Sequence, residues 1–413
     1  MPFIHPIKSL LRDFWSAGIG LAVAEPLMSC VSERMNTGTA SPNKPRARAL
    51  RVGFVPLVDC APLVMAQELG LFIKHGLSVQ LSREIGWATI RDKIIYGELD
   101  AAHAPAALPF AANFGLGSDQ CACVSGLVLN LQGNAITLSR ALWERGVRDA
   151  ETLRGEILRN WGRKTFTFGV VFSYSSHHFL LRRWLKSGGI NPNVDVRIVV
   201  VPPGQMFPNL KLGYLDGYCV GEPWTSVAVR AGVGVCVATS PDLAPLHPEK
   251  VLMVRRAFAE ERAEEHERLI AALLEACAFC DQPENRLRVA EILARPHYVN
   301  APGDCVRAGL AGPFDFGDGR APAFLDLNIF SRNHANDPTD EKAAWVMDCL
   351  YELLQSGAMN FPSLARTPLL RNVFRRDVFE RVKPSIHNRH DRMQHVVNPY
   401  ETPSIKMPFN VTT

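Results

Sequence analysis

The sequence predicts an α/β protein of two lobes with a ligand cleft between them. Its 413 residues are 47% hydrophobic and 21% charged, which is typical of a globular chain of about two to three domains. Strand and helix patterns alternate over residues 51–102, in an order that predicts a parallel sheet with right-handed crossovers. The same order recurs over residues 166–218. Two such units indicate two α/β lobes that face each other.

In the first unit, short β-branched or alternating runs predict strands, and apolar residues at three- and four-residue spacing predict helices. A turn that begins Gly97-Glu98-Leu99-Asp100 leads into the last strand. The predicted elements are a strand at 51–57, a helix at 62–72, a strand at 77–81, a helix at 87–96 and an apolar strand from 101.

The second unit repeats this order and closes with the same turn chemistry. Gly213-Tyr214-Leu215-Asp216 matches the first turn in its glycine, leucine and aspartate. The predicted elements are a strand at 166–172, a helix at 176–186, a strand at 194–201, a helix at 205–212 and a strand from 217.

These units divide the chain into five segments. Three helices, at 260–279, 284–294 and 341–354, are expected to follow the second unit and to pack back on the first lobe. The segments are 1–49, an N-terminal extension with a signal-like stretch and a linker; 50–130, the first part of lobe 1; 131–244, lobe 2; 245–375, the return to lobe 1 with the C-terminal helices; and 376–413, a polar basic tail.

Charge and cysteine content exclude some functions and bear on the compartment. A net charge of +4 is too small for a dedicated nucleic-acid binder. Cys277-x-x-Cys280 has no second ligand pair, so no metal site is expected. Ten cysteines without a disulfide framework favour a reducing compartment, the cytoplasm.

The N-terminal stretch leaves an alternative open. Lys8 and Arg12 precede an apolar run at 14–24, and Leu27-Met28-Ser29-Cys30 is similar to a lipobox. A periplasmic protein, or one lipid-anchored to the inner membrane, is therefore the alternative localisation.

Ligand-binding residues are expected in the loops that follow the strands, because a two-lobed α/β protein binds ligands beyond the carboxyl ends of its parallel strands. The loops offer an aromatic face, an amide, an imidazole, a close-approach glycine and a cation, which together suit a small planar oxyanion. The loops are 84–87, 130–134, 174–178, 219–224 and 247–250.

The same loops carry a family resemblance. The chain resembles the nitrate- and bicarbonate-binding proteins of ABC importers and their cytoplasmic nitrate-sensor relatives, over about residues 50 to 375. The matching stretches are Val52-Gly53-Phe54-Val55-Pro56-Leu57, Trp87-Ala88-Thr89-Ile90-Arg91-Asp92-Lys93, Leu131-Gln132-Gly133-Asn134-Ala135-Ile136, Arg182-Arg183-Trp184-Leu185 followed by Gly188-Gly189-Ile190-Asn191-Pro192, Val201-Pro202-Pro203-Gly204-Gln205-Met206, Cys219-Val220-Gly221-Glu222-Pro223-Trp224 and His247-Pro248-Glu249-Lys250.

This resemblance implies a periplasmic-binding-protein-like fold of type II, with an anion in the interlobe cleft and no cofactor. Ser175-Ser176 stands where the family usually has Gly-Gly or Gly-Met, so the loop before the ligand-binding histidine departs from the pattern. In the family, a lysine at the last ligand position accompanies nitrate or nitrite, whereas bicarbonate relatives differ there. The implied ligand-binding residues are Trp87, Gln132, His177, Gly221 and Lys250.

Three functions remain open from the sequence. The first is a cytoplasmic nitrate or nitrite sensor that controls a partner, in such sensors an RNA-binding antiterminator. The second is the solute-binding component of an ABC importer, which delivers nitrate or bicarbonate to a permease and its ATPase. The third and most remote is an enzyme similar to the thiamine pyrimidine synthases, whose cysteine-rich motif is absent here. Since no nucleophile–base pair is evident, a non-enzymatic function is expected.

Overall fold

The computed structural model describes residues 48–355 and 366–383. The signal-like stretch, the lipobox-like Leu27-Met28-Ser29-Cys30 and most of the predicted polar tail lie outside these ranges. No described helix is long and apolar enough to cross a membrane.

The strands of the described ranges are, in chain order, β1 Leu50–Phe54, β2 Val79–Arg83, β3 Ala101–Pro105, β4 Cys123–Val124, β5 Val128–Leu131, β6 Asn134–Ser139, β7 Thr167–Val170, β8 Arg197–Val200, β9 Gly217–Gly221, β10 Gly234–Thr239 and β11 Pro248–Arg255.

The helices of the same ranges include α1 Ala61–Glu68, α2 Leu71–Lys74, α3 Trp87–Ile95, α4 Leu108–Asn113, α5 Arg140–Glu144, α6 Ala150–Arg159, α7 Ser176–Ser187, α8 Pro203–Lys211, α9 Trp224–Arg230, α10 Ser240–Leu243, α11 Arg256–Glu261, α12 Ala263–Asp281, α13 Arg286–Leu293, α14 Gly303–Ala308, α15 Asp340–Gln355 and α16 Arg366–Val373, with short 3-10 turns at Val58–Cys60 and Pro283–Asn285. Residues 376–383, at the start of the predicted polar tail, are also helical and place Val378, Phe379 and Val382 in the core of the first lobe.

Two sheets form the two lobes, which confirms the predicted fold class. The first has the order β2-β1-β3-β11-β4, with β5 also paired to β11. The second has the order β10-β6-β9-β7-β8. In each sheet the predicted βαβαβ unit supplies the parallel strands, β1 with β2 and β3, and β7 with β8 and β9.

Antiparallel strands complete both sheets and join the lobes. β6 carries the chain into the second sheet and pairs antiparallel with β9 and β10. β11 returns the chain to the first sheet and pairs antiparallel with β3, β4 and β5. Because β6 and β11 are the crossing strands, the residues at their ends lie at the junction between the lobes.

The helix predicted at 260–279 is interrupted. It forms α11 and α12, separated at Arg262, whose backbone leaves the helical region at φ −121° and ψ 42°. The Arg262 guanidinium pairs with Glu265 at 2.5 Å and lies 3.7 Å from Asp100. α12 then packs its apolar face on α1 in the core of the first lobe.

α15 lies against both lobes. Its Val346 and Leu350 share one apolar cluster with Phe110 and Val251 of the first lobe and with Phe179 of α7 in the second. The Trp345 ring stands edge-on to Phe179, with ring centroids 6.4 Å apart. The helix therefore buries apolar surface of both lobes at once.

Candidate functional site

A buried polar cluster lies where the two lobes meet. Hydrogen bonds cross directly between them: the Val58 N–H donates to the Glu222 carbonyl at 2.8 Å, and the Asn134 amide donates to the Glu249 carboxylate at 2.6 Å. We call the set the interlobe cluster; its members are Asp59, Trp87, His103, Asn134, His177, Gly221, His247, Glu249 and Lys250, all of them buried.

Lys250 is the centre of the cluster. Its side chain on β11 is fully buried, and Nζ lies 2.7 Å from Asp59 Oδ2 and 2.5 Å from Glu249 Oε1. Nζ also lies 5.4 Å from the centroid of the Trp87 ring. Burial lowers the pKa of Lys250, but the attraction of the two carboxylates outweighs burial and holds that pKa above its ordinary value.

The two carboxylates are held ionised by their neighbours. Asp59 Oδ1 lies 2.9 Å from His103 Nε2, and Glu249 Oε2 lies 2.9 Å from His247 Nε2. Burial would raise both carboxyl pKa values, but Lys250 and the adjacent histidines lower the pKa of Asp59 and bring that of Glu249 well below its ordinary value.

His177 faces this cluster from the second lobe. It stands in the first turn of α7, and its Nε2 lies 3.7 Å from Glu249 Oε1, beyond hydrogen-bonding distance. Burial is the main cause that lowers the pKa of His177 to about 3. The neighbouring His178 instead directs Nδ1 to the Ser173 carbonyl at 2.8 Å.

The serines that depart from the family pattern build the start of α7. The Ser175 hydroxyl donates to the Phe172 carbonyl at 2.7 Å and accepts the His178 N–H at 3.4 Å. Ser175 is therefore the N-cap of α7, a position that favours serine. The Ser176 hydroxyl is buried and has no partner.

The structure brings four of the five predicted ligand residues together. Trp87, His177 and Lys250 line the cluster directly. A Cβ added to Gly221 would meet Asp59 Oδ2 and Asn134 Oδ1, each at 3.5 Å, so this glycine lies against the polar atoms of the cluster.

Gln132 is at the same crossing, but its side chain is engaged elsewhere. Its Oε1 accepts the Leu246 N–H at 2.9 Å, and its Nε2 donates to the Asp326 carbonyl at 2.9 Å. Neither end of the amide therefore contacts the interlobe cluster, and a ligand role for Gln132 stays a prediction.

Five members of the interlobe cluster had no role assigned from the sequence: two carboxylates and three other polar side chains. Asn134, His247 and Glu249 stood inside the motifs without a role, while Asp59 and His103 were not singled out at all. The sequence nonetheless contained a signal for Asp59 and His103, because each is a lone polar residue in an otherwise apolar run.

Several buried polar atoms in and beside the cluster have no hydrogen-bond partner among the described residues. They include Trp87 Nε1, Asn134 Oδ1, Ser176 Oγ and both ring nitrogens of His177. Both Asp59 oxygens and both His103 ring nitrogens belong to the same set, although Asp59 also forms ion pairs with His103 and Lys250. Most buried polar groups in proteins are paired, so unpaired ones in one place point to a ligand site. Indole and hydroxyl groups donate, and so does one nitrogen of a neutral imidazole, which suits an acceptor-rich anion.

The described residues do not suggest a metal centre. None of them forms a group of three or more histidine, cysteine, aspartate or glutamate side chains placed to hold a metal ion. Burial also raises the pKa of most of the thiols, so Cys60, Cys219 and Cys236 are not activated as thiolate ligands.

Comparison with known proteins gives a consistent result. Residues 43–294 match the model of the NMT1-like family. The chain is 39% identical over 333 residues to the nitrate import ATP-binding protein NrtC of Synechocystis, covering 80% of this chain and 49% of that relative. It thus spans about half the length of the ATP-binding relatives that it matches.

The relatives that are named as binding proteins are matched over a larger share of their length than the ATP-binding relatives. The nitrate/nitrite binding protein NrtA of Nostoc is 30% identical over 320 residues, covering 76% of this chain and 72% of the relative. The crystal structure of the periplasmic nitrate-binding protein NrtA from Synechocystis superposes with a TM-score of 0.78 at 25% identity, covering 85% of this chain and 92% of that one. The chain therefore belongs to the NMT1-like family, among the nitrate- and bicarbonate-binding proteins.

Proposed function

We propose that the chain binds nitrate or nitrite in the interlobe cluster. The observation that carries the proposal is the buried Lys250 ammonium beside unpaired donors from both lobes, Trp87 Nε1 from the first and the His177 ring from the second. The names of the nitrate-binding relatives support the same ligand.

The chemistry of the anion fits such a site. Nitrate is a weak acceptor with delocalised charge, so its binding needs several modest hydrogen bonds and one cation in a desolvated cleft. A hydrogen bond to a charged group contributes roughly 1.5–3 kcal/mol and a neutral one about 1 kcal/mol. Contacts from both lobes mean that closure assembles the site and buries the ion.

Bicarbonate is the alternative anion. It differs from nitrate in carrying an O–H donor, which the Asp59 or Glu249 carboxylate could accept. These oxygens, however, already face His103, Asn134 or Lys250. Carboxylates that already face a cation or a donor favour an anion that only accepts.

Titration calorimetry of Lys250→Gln with sodium nitrate, nitrite and bicarbonate at constant ionic strength tests the site. We expect the native chain to bind nitrate or nitrite and the variant to lose at least about a hundredfold in affinity, since a buried charge-assisted contact is removed. Lys186→Gln is the matched control, because Lys186 pairs with Glu352 on the surface. Equal nitrate affinity of Lys250→Gln and the native chain would contradict the assignment.

We further propose that the chain acts by binding alone, as a cytoplasmic nitrate sensor that controls a partner regulator. Nine free cysteines in the described ranges support a reducing compartment. Lobe closure is a two-state change that an anion can bias, so it is able to release a bound partner such as an antiterminator.

A role in an ABC importer is the second candidate, favoured by the relatives named as an import ATP-binding protein and as binding proteins. The two roles differ in compartment and partner. Cell fractionation, followed by affinity capture with and without nitrate, separates them. A soluble cytoplasmic chain that releases a regulator on nitrate addition supports the sensor. A chain recovered in the periplasm or membrane with a permease contradicts it.

A further inference from the structure

The interlobe cluster has an unusual charge balance for an anion site. Lys250 is its one permanent cation among the described residues, whereas Asp59 and Glu249 are two anions, each within 2.7 Å of the same ammonium. His247 adds a positive charge only when doubly protonated; its Nδ1 then donates to the Ala244 carbonyl at 2.8 Å and its Nε2 to Glu249 at 2.9 Å. Burial lowers the pKa of His103, so its ring 2.9 Å from Asp59 is neutral. The cluster is therefore negative or neutral, not positive.

An anion that enters such a site leaves it with uncompensated negative charge. Because the cluster is fully buried, water screens this charge poorly, and an unpaired charge in a protein interior is costly. A compensating positive charge must therefore come from a group that already lies in the cluster.

His177 is the group whose geometry provides this charge. Four titratable or charged groups face it: Glu249, Lys250 and His247 from the return segment, and Asp59 from the turn before α1. Neither ring nitrogen has a hydrogen-bond partner, and Nε2 is 3.7 Å from Glu249 Oε1. A neutral imidazole carries one N–H, so it cannot donate to both Glu249 and an anion, whereas an imidazolium can.

We propose that the chain captures a proton together with each anion, and that His177 accepts this proton. This inference rests on the proposed function. In this step a proton from solvent forms the second N–H bond of the His177 ring. The positive charge of the resulting imidazolium offsets the negative charge of the nitrate. Nitrate is the conjugate base of a strong acid, so it does not itself take up the proton.

The direction of the pH effect follows from linkage. Burial lowers the pKa of His177 to about 3, and a bound anion raises that pKa by stabilising the imidazolium. Between the lower pKa of the free site and the higher pKa of the complex, nitrate binding takes up protons. The affinity therefore falls about tenfold for each unit of rising pH in that window.

Calorimetry on the native full chain tests the proposal with sodium nitrate at pH 6.5. The titration is repeated in phosphate, which ionises with little heat, and in imidazole, which ionises with much heat. We expect the two buffers to give different binding heats, corresponding to uptake of up to one proton per nitrate, and the Kd to rise with pH by at most about tenfold per unit. Equal heats in both buffers with a Kd that is constant from pH 5.5 to 8 would overturn the proposal.

His177→Asn identifies the acceptor, with His178→Asn as the matched control on the same turn. We expect His178→Asn to keep the proton uptake of the native chain. We expect His177→Asn to bind more weakly and without pH dependence, so that high nitrate raises its Tm equally at pH 6 and pH 8. Persistent uptake of one proton by His177→Asn would refute the assignment to His177.

The two proposals fail in different ways. If the native chain shows no nitrate or nitrite heat at any pH, the proposed function is wrong and the inference is wrong with it. If it binds nitrate without taking up a proton, only the inference is wrong.

Discussion

Two buried ionic groups of this protein differ in how completely their polar atoms are paired. In the first, Asp281 Oδ1 accepts from Arg286 at 2.7 Å, and Oδ2 accepts the N–H groups of Ser331 and Arg332 at 3.1 and 2.7 Å. Arg286 also donates to the Leu310 and Asn328 carbonyls at 2.8 and 3.0 Å. We call this group the Asp281 network.

The interlobe cluster has similar burial and similar charges but leaves atoms unpaired. Trp87, Asn134 and His177 have buried polar atoms without partners, and these atoms belong to both lobes. Buried charge by itself therefore does not distinguish the two groups, whereas the unpaired polar atoms do. A fully paired network ties neighbouring segments together, whereas a partly paired one between lobes keeps capacity for a ligand.

The largest effect is expected from breaking the Asp281 network. Asp281→Asn leaves Arg286, only 7% exposed, without its counter-charge, and we expect the free energy of unfolding to fall by about 3–5 kcal/mol. Urea unfolding measures this loss. Nitrate affinity is expected to stay at the native value, because the network does not touch the cluster. A large change in nitrate Kd would show that the two groups are coupled.

Glu222, a buried acid next to Gly221, also has one unpaired oxygen. Burial raises the pKa of Glu222 to about 7. The folded protein therefore keeps this carboxyl protonated where the unfolded chain ionises, and stability falls as pH rises from about 4.5 to about 7.

Glu222→Gln removes this pH-dependent loss. We expect the variant to be about 1–3 kcal/mol more stable than the native chain at pH 8 and little changed at pH 4.5. Thermal or urea unfolding across this pH range measures the difference. A stability difference that does not vary with pH would contradict the raised pKa.

Removing one anion from the cluster is expected to tighten binding. In Glu249→Gln the charge of the cluster rises by one, while Asn134, whose Oδ1 is unpaired, can reverse its amide to receive the new NH2 group. We expect nitrate affinity at pH 8 to rise about tenfold and its pH dependence to weaken. Glu156→Gln, a buried acid paired with Arg159, is the control and should keep the native Kd. Weaker binding by Glu249→Gln would show that Glu249 acts chiefly by orienting its neighbours.

The smallest effect is expected at Gly221. A Cβ there would make ordinary contacts of 3.5–3.6 Å with Asn134, Asp59 and Leu57, so Gly221→Ala fits the fold without strain. The methyl group nevertheless fills space beside the unpaired atoms. We expect an unchanged Tm and a roughly three- to tenfold loss of nitrate affinity. Native affinity in this variant would place the anion away from Gly221.

Much of the architecture could be predicted from the sequence because its signals are local. Strand and helix periodicity and the repeated Gly-x-Leu-Asp turn predicted two βαβαβ units, and both are present. The order of strands in each sheet was less accessible. Whether β6 and β11 pair antiparallel with strands far away in the chain depends on long-range contacts that no local pattern encodes.

The candidate site divides in the same way. The motifs, and the family resemblance that they carry, predicted Trp87, His177, Gly221 and Lys250 as ligand residues, and these four residues meet in one place. The charge around Lys250 depends on the folded arrangement, because Asp59 is 191 positions before it and comes to the ammonium through the pairing of β1 with β3 and of β3 with β11. The tertiary structure also decided that the Gln132 amide turns to Leu246 and Asp326. Residue identity predicts which chemistry is available, but distance and desolvation decide which charges act on one another, and these exist only once the lobes are folded together.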